Sequence, residues 1–291
     1  MSGRVQTVLD EARNVCEKEP AEAALGSLDV NRHLRGSEST LTFLSISSLF
    51  PPDVLGGAEM SAYNLARWIR QQGHDMAVLT TAKSPEEELR GQLVDGLRIY
   101  RFHMPRPYPT FKFPKAPSWQ KPIWHLQDHL DPRNRRVLAE VLEKVRPDVV
   151  LVHLLPGVGY NALEELGGRD IPVVYFLHDL GLACVKMSMF RAGKQCAGQC
   201  ALCAVTSHHK ASILSRIRRL GFCSPSRANL DRVCELVPIG QRPRAAILNA
   251  NAYPRPTGAR TPSDTMRLVY VGRLHATKGV DLLLDSIARL Q

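Results

Sequence analysis

The sequence predicts an α/β protein built on a doubly wound, mostly parallel sheet, with the first strand and helix of a second such unit near its C-terminus. Three observations carry this. Short continuous apolar runs recur at LTFLSISSL (41–49), PDVVLVH (147–153) and IPVVYFLH (171–178), as strands covered on both faces require. Helix-period segments lie between the runs. Residues 41–81 also read in the order strand, turn, helix, strand, a βαβ unit with parallel pairing.

In chain order, residues 1–38 are polar and helix-compatible and read as an N-terminal extension. The first domain spans 39–255. After its first strand, Ala58, Ala62, Leu65, Ala66 and Ile69 fall on one helical face, and Gly73 suits the C′ position that ends a helix. MAVLTT (76–81) is the second strand, and GQLVDGLRIYRF (91–102) reads as two strands around an Asp95-Gly96 turn. The proline-rich stretch 104–123 predicts an irregular loop, 124–145 a helix, and 160–167 a short helix. Helices are expected over 208–220 and from 224 to 236, and 238–262, rich in Pro and Arg, reads as a linker. The second unit, 256–291, holds that linker's end, the strand MRLVYVGRL (266–274) and a helix over 278–290 that needs a sheet to pack on.

Composition bounds the function. The chain has 291 residues, 44% hydrophobic and 23% charged, which is the soluble globular class. No stretch reaches the ~20 apolar residues of a membrane span, and the N-terminus has no apolar signal core, so a cytoplasmic place is expected. The net charge of +10 implies an anionic partner: nucleic acid, an anionic membrane surface or a phosphorylated substrate. Basic clusters at Arg133, Arg135, Arg136 and at Arg216, Arg218, Arg219 lack interleaved aromatics, so nucleic acid is not an expected partner. SILSRIRRLGF (212–222) has apolar and basic residues at helical spacing, which fits a surface helix or one lying on lipid.

Ligands of doubly wound sheets sit outside the carboxyl ends of the strands. Three features end strands here. Gly56 and Gly57 precede the first helix, where bare backbone N–H groups and a helix N-terminus favour an anion; a tight turn with no ligand fits the same residues. His153 and His178 each close an apolar strand, and Asp179 follows the second, where it could orient or charge the ring. In VGRLHATKGVDLLL, Arg273 and Lys278 flank a loop and a helix start beside Gly272 and Gly279, which suits a diphosphate. The glycine pair is neither a GxGxxG fingerprint nor a Walker loop, which argues against a nicotinamide-dependent dehydrogenase or epimerase.

Four of the seven cysteines crowd one loop: Cys184, Cys196, Cys200 and Cys203. Without an export signal a disulfide framework is not expected. The spacing fits a structural Zn2+ site, with an iron–sulfur cluster as the alternative, and free thiols remain a third reading.

Taken in order, GGAEMSAYNLARWIRQQGHDMAVLT, RPDVVLVHLL, IPVVYFLHD, CSPSRANLDRVCE and VGRLHATKGVDLLLDSIARL resemble a family 4 glycosyltransferase of GT-B fold, from about residue 41 to 291. The resemblance implies two Rossmann-like domains, the first for the acceptor. It implies retaining transfer of a sugar from a nucleotide sugar to a glycan or lipid-linked acceptor, in polysaccharide or glycolipid assembly, with no catalytic metal. By the same resemblance His178 lies next to the transferred sugar. Gly56, Gly57, Arg273 and Lys278 bind the donor diphosphate, and His153, Glu59 and Asp179 stand on the acceptor side. A lipid-linked acceptor is consistent with peripheral attachment to the inner face of the cytoplasmic membrane. The family's cleft glutamates and nucleoside pocket fall beyond Gln291, so a chain that ends there is expected to be inactive alone. The competing class is a non-enzymatic, metal-stabilised binding module or vestigial fragment.

Overall fold

The computed structural model describes residues 40–249, 267–272, 274 and 278–289. The N-terminal extension, the boundary residue 39, residues 250–266 and Arg273 lie outside the described residues.

The chain folds into an eight-stranded sheet of order β10-β9-β6-β5-β1-β2-β4-β3. Its strands are β1 (Thr42–Ser47), β2 (Asp75–Ala82), β3 (Leu89–Val94), β4 (Leu97–His103), β5 (Val149–Leu154), β6 (Val173–Phe176), β9 (Leu220–Ser224) and β10 (Arg244–Ala246). A separate two-residue hairpin holds β7 (Phe190–Arg191) and β8 (Lys194–Gln195). All pairings in the large sheet are parallel except β3 with β4. From β1 the chain builds outward through β2 to β4, then restarts at β5 on the other side of β1. The strand order therefore reverses between β1 and β5, and a crevice opens at their carboxyl ends.

Among the described residues the α-helices are α1 (Gly57–Gln71), α2 (Gln120–Leu130), α3 (Pro132–Val145), α4 (Ala201–Ser215), α5 (Arg227–Leu236) and α6 (Val280–Ala288). One face of the sheet packs on Ala62, Ala66 and Ile69 of α1. The other packs on Leu138, Val141 and Leu142 of α3, Ala211 and Leu214 of α4, and Leu230 and Val233 of α5. The α1 stop is as expected: Gly73 has φ +87°, its N–H binds Arg70 O, and the His74 N–H reaches Ile69 O, closing a Schellman turn. Asp95 and Gly96, both at positive φ, turn β3 into β4.

Four expectations are corrected. The helix over 124–145 is two helices, because Pro132 starts α3 and Asp131 caps it, accepting from the Arg133 N–H. The proline-rich stretch is irregular as expected up to α2, and it is anchored: Trp124 is fully buried, stacks on Tyr108 and donates its indole N–H to Tyr108 O. SILSRIRRLGF is no surface helix. Helix α4 ends at Ser215, Leu220 and Phe222 belong to β9, and Ile213, Leu214 and Ile217 are buried. The linker contributes β10, which pairs with β9 from Arg244 to Ala246. Among the described residues of 267–274 no strand forms, and no residue of α6 is buried.

Candidate functional site

The crevice between β1 and β5 opens into a cleft of about 460 Å3. Its walls come from Ser48 and Leu49 after β1, Gly56 to Glu59 at the start of α1, Leu154 and Pro156 after β5, and His178 and Asp179 after β6. Helix α2 contributes Trp124, His125, Asp128 and His129, α4 contributes Lys210, and Lys278 lies at the edge. Of the residues expected at the site, Gly56, Gly57, Glu59, His178, Asp179, Cys184 and Lys278 line this one cleft. His153 stands just behind His178 in a small neighbouring cavity.

The loop from β1 to α1 is clamped from below. Arg101 donates to the carbonyls of Phe50 (3.2 Å) and Pro51 (2.9 Å), Thr81 Oγ1 donates to Ser48 O (2.6 Å), and Lys83 pairs with Asp53. Glu59 reaches back from the third position of α1 to accept the Gly56 N–H at 3.0 Å, half of a capping box. That sets a structural task for Glu59, and it takes one of the two glycine N–H groups expected to face a ligand. Neither glycine is demanded by the backbone. Gly56 is extended, at φ −162°, and a Cβ at Gly57 would meet nothing within 4 Å. A bare position there leaves room for a ligand to approach the backbone closely. Gly57→Ala is therefore expected to leave the thermal midpoint unchanged or slightly raised. The same variant should lose affinity for whatever occupies the cleft. A lowered midpoint with intact binding would show the glycine to be structural.

The two histidines meet. His153 Nδ1 and His178 Nε2 lie 3.0 Å apart with ring planes 19° from parallel, and His153 also stacks on Phe176 at 4.4 Å. The partner of the His178 ring is thus His153 and not Asp179, whose carboxylate accepts the Gly181 N–H at 2.7 Å. Burial pushes His178 down to about 4; burial and then the neighbouring ring hold His153 well below the ordinary histidine value. Both rings are neutral at pH 7, so one donates to the other across the contact. The outer nitrogen of each, His153 Nε2 and His178 Nδ1, is buried without a hydrogen-bond partner. The tautomer of one ring fixes the role of the other.

Sequence reasoning missed the polar floor. The Asp128 carboxylate, 1% exposed, accepts from the Gly157 N–H at 2.7 Å and pairs with Arg106 at 3.2 Å. Arg106 also donates to Asn134 Oδ1 and Gly157 O, and Asn134 donates to Asn161 Oδ1. Burial raises Asp128 to about 6 against the opposing pull of Arg106. Lys210, 3% exposed, donates to Gly181 O at 2.6 Å over the ring of Tyr160, and burial lowers it to about 8. His129 stacks on Tyr160 at 5.2 Å; burial, then Lys210, bring it down to about 3. One signal was available. Cys203, Ser207, Lys210, Ala211 and Leu214 form the buried stripe of α4, and a lysine on such a stripe marks an internal charge.

The chain matches the sequence family described as Glycosyltransferase Family 4 over residues 55–220, more than half its length. It belongs to glycosyltransferase family 4. The family 4 match begins at Leu55, just before the glycine pair, and ends as β9 begins. A Klebsiella pneumoniae protein described as an uncharacterized 42.6 kDa protein in the cps region is 21% identical over 155 residues, 53% of this chain. The chain spans 41% of that relative's length. Among solved structures, the Bordetella bronchiseptica enzyme WbmG, in complex with NAD and UDP, is similar at TM-score 0.34 and 11% identity over 64% of this chain and 53% of that one. Arabidopsis thaliana UGT89C1, complexed with UDP-L-rhamnose, is similar at TM-score 0.29 and 14% identity over 67% of this chain and 44% of that one.

Among the described residues no group of three or more His, Cys, Asp or Glu side chains is placed to hold a metal ion, so the expected zinc site at Cys184, Cys196, Cys200 and Cys203, and its iron–sulfur alternative, find no support here. Their positions split by burial. Cys184 and Cys203 are buried against the core, Cys196 is half-buried after the β7–β8 hairpin, and Cys200 is exposed at the N-cap of α4. No helix among the described residues is long and apolar enough to cross a membrane.

Proposed function

We propose that the protein is a retaining glycosyltransferase that moves a sugar from a nucleotide sugar to a glycan or lipid-linked acceptor. The observation that carries this is the cleft at the strand-order reversal of a family 4 domain, with a bare Gly57 at a helix N-terminus and His178 lining the same space. The N-terminal dipole of α1 and the Lys278 ammonium are suited to the negative charge that develops as the bond between sugar and phosphate breaks. Arg273 is assigned to the same diphosphate. His178, held neutral and oriented by His153, presents an uncharged polar group beside the transferred sugar. Asp179, Lys210 and the α2 residues face the acceptor, whose assembly belongs to polysaccharide or glycolipid synthesis on the cytoplasmic side of a membrane.

The test is sugar transfer or hydrolysis from labelled uridine and guanosine diphosphate sugars by the protein purified as its gene encodes it. His178→Ala is expected to lower kcat about a hundredfold, the scale of losing one transition-state contact, with the donor KM changed only a few-fold. Transfer at the parent rate by this variant, or absence of any nucleotide-sugar binding by the parent, would sink the reading.

A further inference from the structure

Lys210 is a cation on the buried stripe of α4, beside Ala211 and one turn from Leu214, where an unbranched apolar side chain would pack without desolvating a charge. Burial works against its charged form even with Asp128 and Asp179 nearby. Stability therefore does not account for a lysine at this position. Its contacts do. The ammonium donates to a backbone carbonyl, Gly181 O at 2.6 Å, and lies 4.4 Å above the Tyr160 ring.

Gly181 belongs to the loop that carries His178 and Asp179 from the end of β6 into the cleft. The start of that loop is held by β9 and α5. Ser224 Oγ and Asn229 Nδ2 donate to Leu177 O at 3.0 and 2.8 Å, and the Leu177 N–H reaches Cys223 O at 2.7 Å. Further on, the Leu180 N–H binds Met187 O at 3.1 Å. Gly181 is gripped from both sides. Its N–H donates to Asp179 Oδ1 at 2.7 Å, and its carbonyl accepts from Lys210. There is no slack in this turn: a Cβ at Gly181 would lie 2.7 Å from the same carboxylate oxygen and 3.5 Å from Tyr160 Oη. The His178 ring depends on the loop, because its contact with the protein's polar groups is the 3.0 Å one to His153, its other nitrogen being buried without a partner. A loop shift of about 1 Å would carry the two rings out of hydrogen-bond range.

We propose that Lys210 is a positioning residue: through the Gly181 carbonyl its ammonium holds the loop so that the His178 ring stays on His153 and faces the transferred sugar. The inference rests on the proposed role of His178, but its first test reads the ring and not the reaction.

That test is NMR of the purified protein with 15N-labelled histidine, the two rings being assigned with His153→Phe and His178→Ala. The parent is expected to show one protected proton shared between His153 Nδ1 and His178 Nε2. Lys210→Met keeps an unbranched side chain and strands no carboxylate, since Asp128 still has Arg106, so its circular dichroism melt should stay near that of the parent. In it the shared proton should exchange with water at least about tenfold faster. Lys210→Arg, which stays charged and can reach the same carbonyl, should restore slow exchange. In sugar transfer Lys210→Met should lower kcat about ten- to a hundredfold with the donor KM within a few-fold, and should add little in the His178→Ala background. Should the methionine variant misfold, Lys210→Gln, too short to reach Gly181 O, replaces it with the same expectation. An unchanged proton signal in a folded variant would overturn the inference whatever the activity, as would the lack of a shared proton in the parent. Equal losses of kcat in the parent and His178→Ala backgrounds would give Lys210 a separate task and overturn it too. Faster exchange in the variant, with no nucleotide-sugar binding by the parent, would uphold the hold on the ring and sink the transferase reading alone.

Discussion

Asp128→Ala is expected to destabilise the fold by about 3–5 kcal/mol, the cost of leaving one charge of a buried pair alone. Arg106 and Asp128 have side chains only 2% exposed. Removing the carboxylate strands the guanidinium and deprives the Gly157 N–H of its acceptor. The two losses can be separated. Asp128→Asn keeps an acceptor for Gly157 and should recover about 1–2 kcal/mol of the loss. Replacing both charges, Arg106→Met with Asp128→Leu, should be milder than Asp128→Ala alone, because no uncompensated charge remains. Recovery will be partial, since Arg106 also braces Asn134 and the Gly157 carbonyl. Urea unfolding at pH 7.5 measures all three. A loss under about 1 kcal/mol for Asp128→Ala would mean that the pair is hydrated and not the buried brace described above.

This brace explains what was legible in the sequence and what was not. β1, β2, β5 and β6 announce themselves because strands buried on both faces must be continuously apolar, and α1 because its face repeats at helical period and ends on Gly73. His153 and His178 could be placed at strand ends by counting along those runs, and their strands prove to be neighbours in the sheet. Their 3.0 Å contact could not be foreseen, because it depends on the parallel register of β5 with β6. Arg106, Asp128 and Gly157 come from an irregular loop, a helix and a turn, none with a period that sets relative position. β10 was hidden for a similar reason. Three residues at a sheet edge, rich in Arg, carry no alternation strong enough to outweigh the prolines around them. The four cysteines are a different case. Their spacing permits a tetrahedral shell, and Cys203 does adjoin Cys200 and Cys184, but spacing cannot say how deep each lies: Cys200 is exposed at the start of α4 and Cys203 is buried three residues later.

Stability is expected to fall by at least about 3 kcal/mol between pH 7 and pH 5, and the histidines of the cleft are the cause. His178 at about 4, His129 at about 3 and His153, lower than its ordinary value, are all depressed chiefly by burial. A base whose pKa is lowered on folding contributes stability above its unfolded value of about 6.5, and that contribution is lost as the pH falls toward the folded value. His178 and His129 then cost about 2 kcal/mol each between pH 7 and pH 5, and His153 adds a loss of the same sign. Asp128 works the other way. Its folded value of about 6 lies above the ordinary carboxylate value, so its buried charge is relieved as the pH drops through 6. That returns about 1 kcal/mol over the same interval, too little to offset three imidazoles. His125 is lowered too, by burial and then Lys210, and adds to the loss. Urea midpoints at pH 7, 6 and 5 read the slope. In His153→Phe the slope should shrink, since one titrating ring is gone and the other keeps its buried place. A flat profile, or an undiminished slope in that variant, would place the titrating charge elsewhere. The pair also links stability to catalysis. If His178 must stay neutral to serve the sugar, the pH that protonates it also unfolds the cleft, so activity and stability should fall together on the acid side.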